Sequence, residues 1–142
     1  MRIALVGAGG MGTCHYMNYR HIEGAQVVAL VGRGERDRAH AEQWGLPLYT
    51  CVDEANRREQ IDLFDVCVPT YLHKAIVLEA LACGVPVLTT LHAATAREVC
   101  LRAGVKGLLA DGVFEQVIFV RERRAACVLP AAEVLKQGCC GQ

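Results

Sequence analysis

The 142-residue sequence lacks a net charge, because its 15 basic side chains balance its 15 acidic ones. It therefore lacks the basic surface through which proteins bind nucleic acid or anionic membranes. It also has no run of apolar residues close to the roughly 20 that a membrane-spanning helix requires. These absences predict a protein that binds neither nucleic acid nor a membrane.

Metal-binding and secretion motifs are absent as well. None of the eight cysteines forms a Cys-x-x-Cys motif, and no cluster of cysteine and histidine has the spacing of zinc ligands. We therefore predict no metal site and interpret most of the cysteines as small buried hydrophobic residues. The adjacent Cys139 and Cys140 are the candidates for redox chemistry. The first apolar stretch, residues 3–6, is too short for a secretory signal, which predicts a cytoplasmic protein.

What the sequence does contain is an alternation of short apolar strands and helical segments. The pattern predicts strands at 3–6, 26–31, 48–52, 65–68, 85–89 and 107–110, and helices at 11–21, 35–44, 73–83 and 95–103. The pattern weakens after residue 111, beyond which a further strand is expected at 115–120 and a short helix at 131–137. Strands joined by helical crossovers form a parallel sheet with helices on both faces. We predict an α/β fold of Rossmann type, a doubly wound parallel sheet in a single three-layer α/β/α domain covering 1–142, with its core in 1–112 and a C-terminal segment at 113–142.

A glycine-rich turn follows the first predicted strand directly and opens the first predicted helix. It fits the pattern G-x-G-x-x-G with the residues Gly7-Ala8-Gly9-Gly10-Met11-Gly12. In such a unit the first glycine permits the tight turn, the second lets the backbone approach a pyrophosphate, and the third lets the helix pack closely on the strand. Amides at the helix start then point at the anion. These six residues are predicted to bind a dinucleotide, and a plain strand-to-helix turn is the alternative.

The end of the second predicted strand bears on which dinucleotide binds. An acidic residue about 20 positions after the loop usually binds the ribose 2′-hydroxyl of NAD. Here that position is Gly32, and Arg33 and Arg36 follow it. Glycine leaves room for a 2′-phosphate, and arginine offers charge-assisted donors to it. We therefore predict that Gly32, Arg33 and Arg36 lie at the ribose and that NADP binds in preference to NAD. A solvated, charged helix start is the alternative interpretation.

Longer motifs resemble one oxidoreductase family. Residues 7–15 read Gly-x-Gly-x-Met-Gly-x-x-His, residues 65–73 read Asp-Val-Cys-Val-Pro-Thr-Tyr-Leu-His, and residues 79–88 read Glu-Ala-Leu-Ala-Cys-Gly-Val-Pro-Val-Leu. Together they resemble the nucleotide-binding domain of the glucose–fructose oxidoreductase / inositol dehydrogenase / MocA (Gfo/Idh/MocA) family. Residues 135–142 resemble the segment that closes this domain, and the resemblance is thin between 111 and 130.

The resemblance implies the first domain of a two-domain, NAD(P)-dependent sugar or polyol oxidoreductase. It implies that Pro69, Thr70 and His73 line the cofactor cleft, at the carboxyl ends of the strands, where open α/β sheets bind their ligands. For His73, a capping or packing role is the alternative.

Two departures from the family concern catalysis. Where the family has Glu-Lys-Pro after its fifth strand, this sequence reads Thr90-Leu91-His92, and leucine can neither donate a proton nor hold a charge. The resemblance also implies a second, catalytic domain, which we expect this chain to lack. We therefore expect a dinucleotide-binding domain that is catalytically incomplete.

Two alternative functions stay open. One is an active dehydrogenase completed by oligomerisation, with His92 and His73 as its catalytic residues. The other is a non-enzymatic module that senses the dinucleotide. Apolar residues at 113–114 and 117–120 are expected to form an exposed docking surface, which predicts a homo-oligomer or a partner domain.

Overall fold

The computed structural model describes residues 1–121 and 124–139. The chain divides into two compact units, Met1–Thr90 and Leu91–Gln142. No helix of the described residues is long and apolar enough to cross a membrane.

The first unit is a five-stranded, fully parallel sheet with four helices. Its strands are β1 (Arg2–Val6), β2 (Gln26–Val31), β3 (Leu48–Tyr49), β4 (Leu63–Val66) and β5 (Val87–Thr89). Its helices are α1 (Gly10–Tyr19), α2 (Glu35–Trp44), α3 (Val52–Glu59) and α4 (Thr70–Ala82). The strand order β3-β2-β1-β4-β5 reverses direction at β1, because β2 lies on one side of it and β4 on the other. The predicted Rossmann-type α/β fold is confirmed.

The core of this unit explains why its strands read as continuous apolar runs. Ile3, Leu5 and Leu30 are completely buried, as expected for strands of a parallel sheet whose two faces are covered. On the polar helix α2, Ala41 is buried and Trp44 is half-buried, with its ring stacked on Tyr16 of α1 at a centroid distance of 3.9 Å. The strand predicted at 48–52 is shorter than expected, since β3 ends at Tyr49 and Val52 begins helix α3. Val52 and Ala55, three residues apart on one face of this helix, are its buried residues.

The second unit consists of three helices and a β-hairpin. It contains α5 (Ala96–Leu101), α6 (Ala103–Ala110), β6 (Gln116–Arg121), β7 (Arg124–Pro130) and α7 (Ala131–Cys139). The strand and the helix predicted at 115–120 and 131–137 are confirmed as β6 and α7. However, β6 pairs antiparallel with β7, which the sequence analysis did not foresee, and neither strand joins the parallel sheet.

The strand predicted at 107–110 is wrong, because these residues lie in helix α6. A short apolar run does not distinguish a buried strand from a buried stretch of helix. Here the segment contains Leu and Ala, which favour helices. In this helix Leu108 and Leu109 are both buried.

The two faces of the hairpin differ in exposure. Val117, Phe119 and Leu129 pack against the core of the second unit around Val99, Leu109, Ala131 and Val134, as Phe114 also does. Ile118, Val120 and Val128 are more than half exposed. The docking surface expected at 113–114 and 117–120 is therefore only partly free, since alternate residues of the strand are used inside the unit.

The cysteines are less buried than expected. Cys14 and Cys127 are exposed, and Cys51, Cys67, Cys83 and Cys100 are half-buried. Among them, Cys67 packs against the apolar cluster of the first unit, so the expectation of a small buried hydrophobic residue holds there in part. Of the pair singled out for redox chemistry, Cys140 and the side chain of Cys139 lie outside the described residues.

Candidate functional site

The glycine loop connects β1 to α1 at the carboxyl edge of the sheet. Within it, Gly7 and Gly12 are the glycines that lie closely against other backbone atoms. Gly7 has φ +89°, and a Cβ there would lie 3.2 Å from the carbonyl oxygen of Cys67. A Cβ on Gly12 would overlap the carbonyl oxygen of Gly7. Only glycine satisfies both positions, since one requires a left-handed turn and the other requires contact between helix and strand backbones.

The middle of the loop is open. A Cβ on Gly9 or Gly10 would meet no atom within 4 Å. Gly9 is the N-cap residue of α1, and the first intrahelical bond runs from Thr13 N to Gly9 O at 2.9 Å. The preceding amides of the first turn, including that of the exposed Met11, have no carbonyl one turn earlier to bind. With no acidic residue in this turn, these amides and the helix dipole suit an anion.

Helix α2 places a carboxylate beside the end of β2 that was not predicted from the sequence as a site residue. Asp37, in the first turn of α2, accepts hydrogen bonds from Ala8 N at 2.8 Å and from Gly34 N at 3.0 Å. A Cβ on Gly32 would overlap the Asp37 carboxyl group. The carboxylate therefore fills the volume that a side chain at position 32 would occupy. The spacing Gly34-x-x-Asp37, with an acid at the third helical position, is the sequence signal that could have identified it.

The two arginines predicted at the ribose both lie on the surface. Arg33 is exposed, and its Nε donates to the carbonyl oxygen of Thr50 at 3.0 Å, just after β3. Arg36 is also exposed, and its backbone carbonyl accepts a bond from His40 Nδ1 at 3.0 Å. The structure therefore brings Gly32, Arg33 and Asp37 to the same edge as the glycine loop.

The turn after β4 positions the remaining predicted residues. Pro69 is the N-cap of α4 and Thr70 its first residue, and both are exposed. His73 is buried and its Nε2 donates to the carbonyl oxygen of Val68 at 2.6 Å. Its Nδ1 lies 3.4 Å from Thr89 Oγ1. These contacts favour the packing alternative for His73, because both ring nitrogens are used to hold the turn against β5.

His92 and Leu91 belong to the second unit. Leu91 packs against that unit's apolar core. His92 is exposed, and its backbone carbonyl accepts a bond from Arg102 Nη2 at 2.8 Å.

Beneath the loop lies a buried polar network that the sequence analysis did not identify. Asp65 on β4 is completely buried and its Oδ2 accepts bonds from His15 Nδ1 at 2.7 Å and Tyr19 Oη at 3.0 Å. The Cys67 thiol lies 3.5 Å from Asp65 Oδ1 and 3.4 Å from His15 Nδ1. The ligand-type atoms of His15, Asp65 and Cys67 all lie within 4.8 Å of one another, although about 50 residues separate the histidine from the other two.

Within the network, the pKa values of His15, Tyr19 and Cys67 are all raised. The hydrogen bond to the Asp65 carboxylate raises the pKa of His15, and it outweighs the opposing effect of burial. Burial, followed by the Asp65 charge, raises the pKa of Tyr19 and of Cys67. The Cys67 thiol is therefore harder to ionise than a free cysteine, which makes it a poor nucleophile. The network holds α1 against β4.

Comparisons with known proteins agree with this geometry. A family model described as an oxidoreductase family with an NAD-binding Rossmann fold, GFO_IDH_MocA, matches residues 1–109. An inositol 2-dehydrogenase of Arthrobacter sp. is 35% identical over 92 residues, which is 62% of this chain and 27% of that enzyme. The chain thus spans less than a third of the length of this curated relative.

Solved structures show the same fold. A biliverdin reductase from Synechocystis, solved with biliverdin and NADP+, has a TM-score of 0.57 at 24% identity, over 73% of this chain and 34% of its own. An oxidoreductase from Agrobacterium radiobacter, solved with NAD+, L-tartaric acid and magnesium, has a TM-score of 0.62 at 17% identity, over 84% of this chain and 34% of its own.

Proposed function

The chain belongs to the GFO_IDH_MocA oxidoreductase family with an NAD-binding Rossmann fold, and we propose that its glycine loop binds the pyrophosphate of a nicotinamide dinucleotide. The observation that supports this most directly is the contrast within the loop. Gly7 and Gly12 are required by their own backbone surroundings, whereas Gly9 and Gly10 face open space. A plain turn has no need of glycine at the two open positions.

The residues present fit such a cofactor. The amides of Gly10, Met11 and Gly12 offer donors at the N-terminus of α1, and the first turn holds no carboxylate that would repel the phosphates. Pro69 and Thr70 are exposed at the same edge of the sheet and complete the proposed binding surface. When bound, the nicotinamide ring supplies hydride transfer. The chain's own part is to bind and orient it.

The choice between NADP and NAD depends on opposing charges. The preference for NADP predicted from the sequence is supported by the exposed Arg33 and Arg36. It is opposed by the carboxylate of Asp37, which lies against Gly32.

We also propose that residues 90–92 do not supply the acid–base chemistry of the family. Leu91, at the position of the family's lysine, carries no ionisable group and packs in an apolar core. His73 is bonded through its ring to backbone and to Thr89. His92 is exposed. It is the candidate catalytic residue in the alternative proposal that the chain is an active dehydrogenase when oligomeric.

Titration of the full chain with NADH and with NADPH, followed by nucleotide fluorescence and by the melting temperature, tests the binding proposal. We expect at least one of them to bind and to raise the melting temperature. No stabilisation by either at saturating concentration would overturn it.

A screen for reduction of NAD+ and NADP+ in the presence of sugars, inositols and hydroxy acids tests catalysis. We expect no turnover by the chain alone. Turnover that is lost in His92→Ala would establish the dehydrogenase alternative instead, and ligand-dependent association by light scattering without turnover would favour the sensing module. The cytoplasmic location and the assignment of all 142 residues to one nucleotide-binding domain stay predictions, as does the homo-oligomer.

A further inference from the structure

We propose that Asp37 determines the cofactor specificity of this site, so that the chain accepts the free ribose hydroxyls of NAD and discriminates against the 2′-phosphate of NADP. The inference rests on the proposed dinucleotide binding. It assigns to a residue of helix α2 the role that an acid at the end of β2 usually has.

The Asp37 carboxylate lies in the position that a recognition acid at residue 32 would fill. Residue 32 is where the recognition acid usually stands, about 20 residues after the loop. A side chain at Gly32 would overlap the Cγ and Oδ2 atoms of Asp37. The Asp37 carboxylate therefore occupies the space that a side chain at position 32 would fill, although Asp37 lies five residues further along the chain.

The carboxylate is held rigidly by two backbone donors. Ala8 N of the glycine loop binds Oδ1 at 2.8 Å, and Gly34 N binds Oδ2 at 3.0 Å. An ionised carboxylate has about four acceptor sites, so two amides leave capacity for two hydroxyl donors. The bond to Ala8 also fixes the distance between the acid and the loop that would hold the pyrophosphate.

The charge of Asp37 is not neutralised by a neighbouring cation. Among the ion pairs of the described residues, none involves Asp37. Arg33 directs its Nε toward Thr50, and Arg36 is exposed. A 2′-phosphate at this position would be repelled by a fixed, unpaired carboxylate, whereas a hydroxyl would donate to it.

Gly32 and Asp37 thus form a matched pair, since an acid at one position excludes the acid at the other. This predicts that the acid can be relocated. Asp37→Ala removes the carboxylate and frees the volume, and the double variant Gly32→Asp/Asp37→Ala places a carboxylate at the end of β2 in the freed space.

The experiment measures dissociation constants of NADH and NADPH for the full chain and its variants. For the unmodified chain we expect tighter binding of NADH. In Asp37→Asn, which keeps an acceptor for Ala8 N, we expect the ratio of NADH to NADPH affinity to fall by about ten- to hundredfold. Glu35→Gln is the matched control, because Glu35 is an exposed acid in the same helical turn, and we expect it to leave the ratio within about threefold.

The relocation variants separate recognition from structural support. If Asp37 only braced the loop, its loss would weaken both dinucleotides equally and leave their ratio unchanged, which would overturn the proposal. We expect Gly32→Asp alone to lower the melting temperature through the overlap, and the double variant to regain both stability and the preference for NADH. A preference of the unmodified chain for NADPH would also overturn the proposal. Failure of a folded chain to bind either dinucleotide would instead overturn the proposed function.

Discussion

The inner and outer parts of the glycine loop use the same residue type for opposite reasons. On the inner side, Gly7 and Gly12 contact each other and the end of β4, with the buried Asp65 network beneath them. On the outer side, a Cβ on Gly9 or Gly10 would meet no atom within 4 Å. The difference teaches that one motif contains both a packing requirement and a binding surface, so substitutions only two or three residues apart should affect different properties.

The largest expected effect is on the inner side. Gly12→Val would drive a branched side chain into the Gly7 carbonyl, and neither backbone can move without displacing β1 or α1. We expect a loss of more than about 3 kcal/mol in the free energy of unfolding, measured by urea denaturation. Gly10→Ala is the control from the same motif, and we expect it to change stability by less than about 0.5 kcal/mol. Equal stability of the two variants would contradict the inner–outer distinction.

A second inner-side substitution removes the network. Asp65→Ala leaves the imidazole of His15 and the hydroxyl of Tyr19 without their acceptor. We expect a loss of about 2–3 kcal/mol in unfolding free energy. Asp53→Ala, which removes an exposed acid paired with Arg57, should cost well under 1 kcal/mol. A cost of Asp65→Ala similar to that of the surface control would show that the network does not hold α1 to β4.

On the outer side the expected effect is on binding alone. Gly9→Ala places a methyl group in open space, so the melting temperature of the unliganded chain should stay the same. The same methyl would obstruct approach of the proposed pyrophosphate, and we expect at least tenfold weaker dinucleotide binding, about 1.4 kcal/mol. Gly107→Ala, at an open glycine of the second unit, should leave binding unchanged. Unaltered affinity in Gly9→Ala would place the ligand elsewhere.

The smallest expected effect is on the pH dependence of the unfolding free energy, through His15 in the network beneath the inner side of the loop. The pKa of His15 is raised in the folded chain by its bond to Asp65, above an unfolded value of about 6.5. The stabilisation from this bond is therefore fully present below pH 6.5 and is lost as the pH rises through the folded pKa. We expect the unfolding free energy to decline from about pH 6 upward, and the decline to be smaller in His15→Gln. If the unfolding free energies of the unmodified chain and of His15→Gln changed in parallel with pH, the His15–Asp65 ion pair would be ruled out.

Much of the first unit follows from local patterns. Residues 26–31 and 35–44 are predicted with the bounds observed for β2 and α2, because a buried apolar run and a polar segment ended by Gly45 are both local signals. The helix α6 was predicted as a strand because a four-residue apolar run has no measurable period. The antiparallel partner of β6 was missed although the hairpin is local, with Arg121 paired to Arg124, because residues 124–130 lack the alternation of apolar and polar residues typical of a half-buried strand.

The amino-acid sequence by itself determined the alternation of strands and helices, the glycine loop and the absence of an ionisable group at Leu91. These are properties of neighbouring residues, and backbone sterics make them local. Only the tertiary structure decided which side chains meet at the loop. It brought Asp37 to Ala8 and His15 to Asp65, across 29 and 50 residues, because the parallel sheet aligns the carboxyl ends of β1, β2 and β4. The sequence alone suggested glycine and arginines at the ribose, and folding added the carboxylate that opposes them.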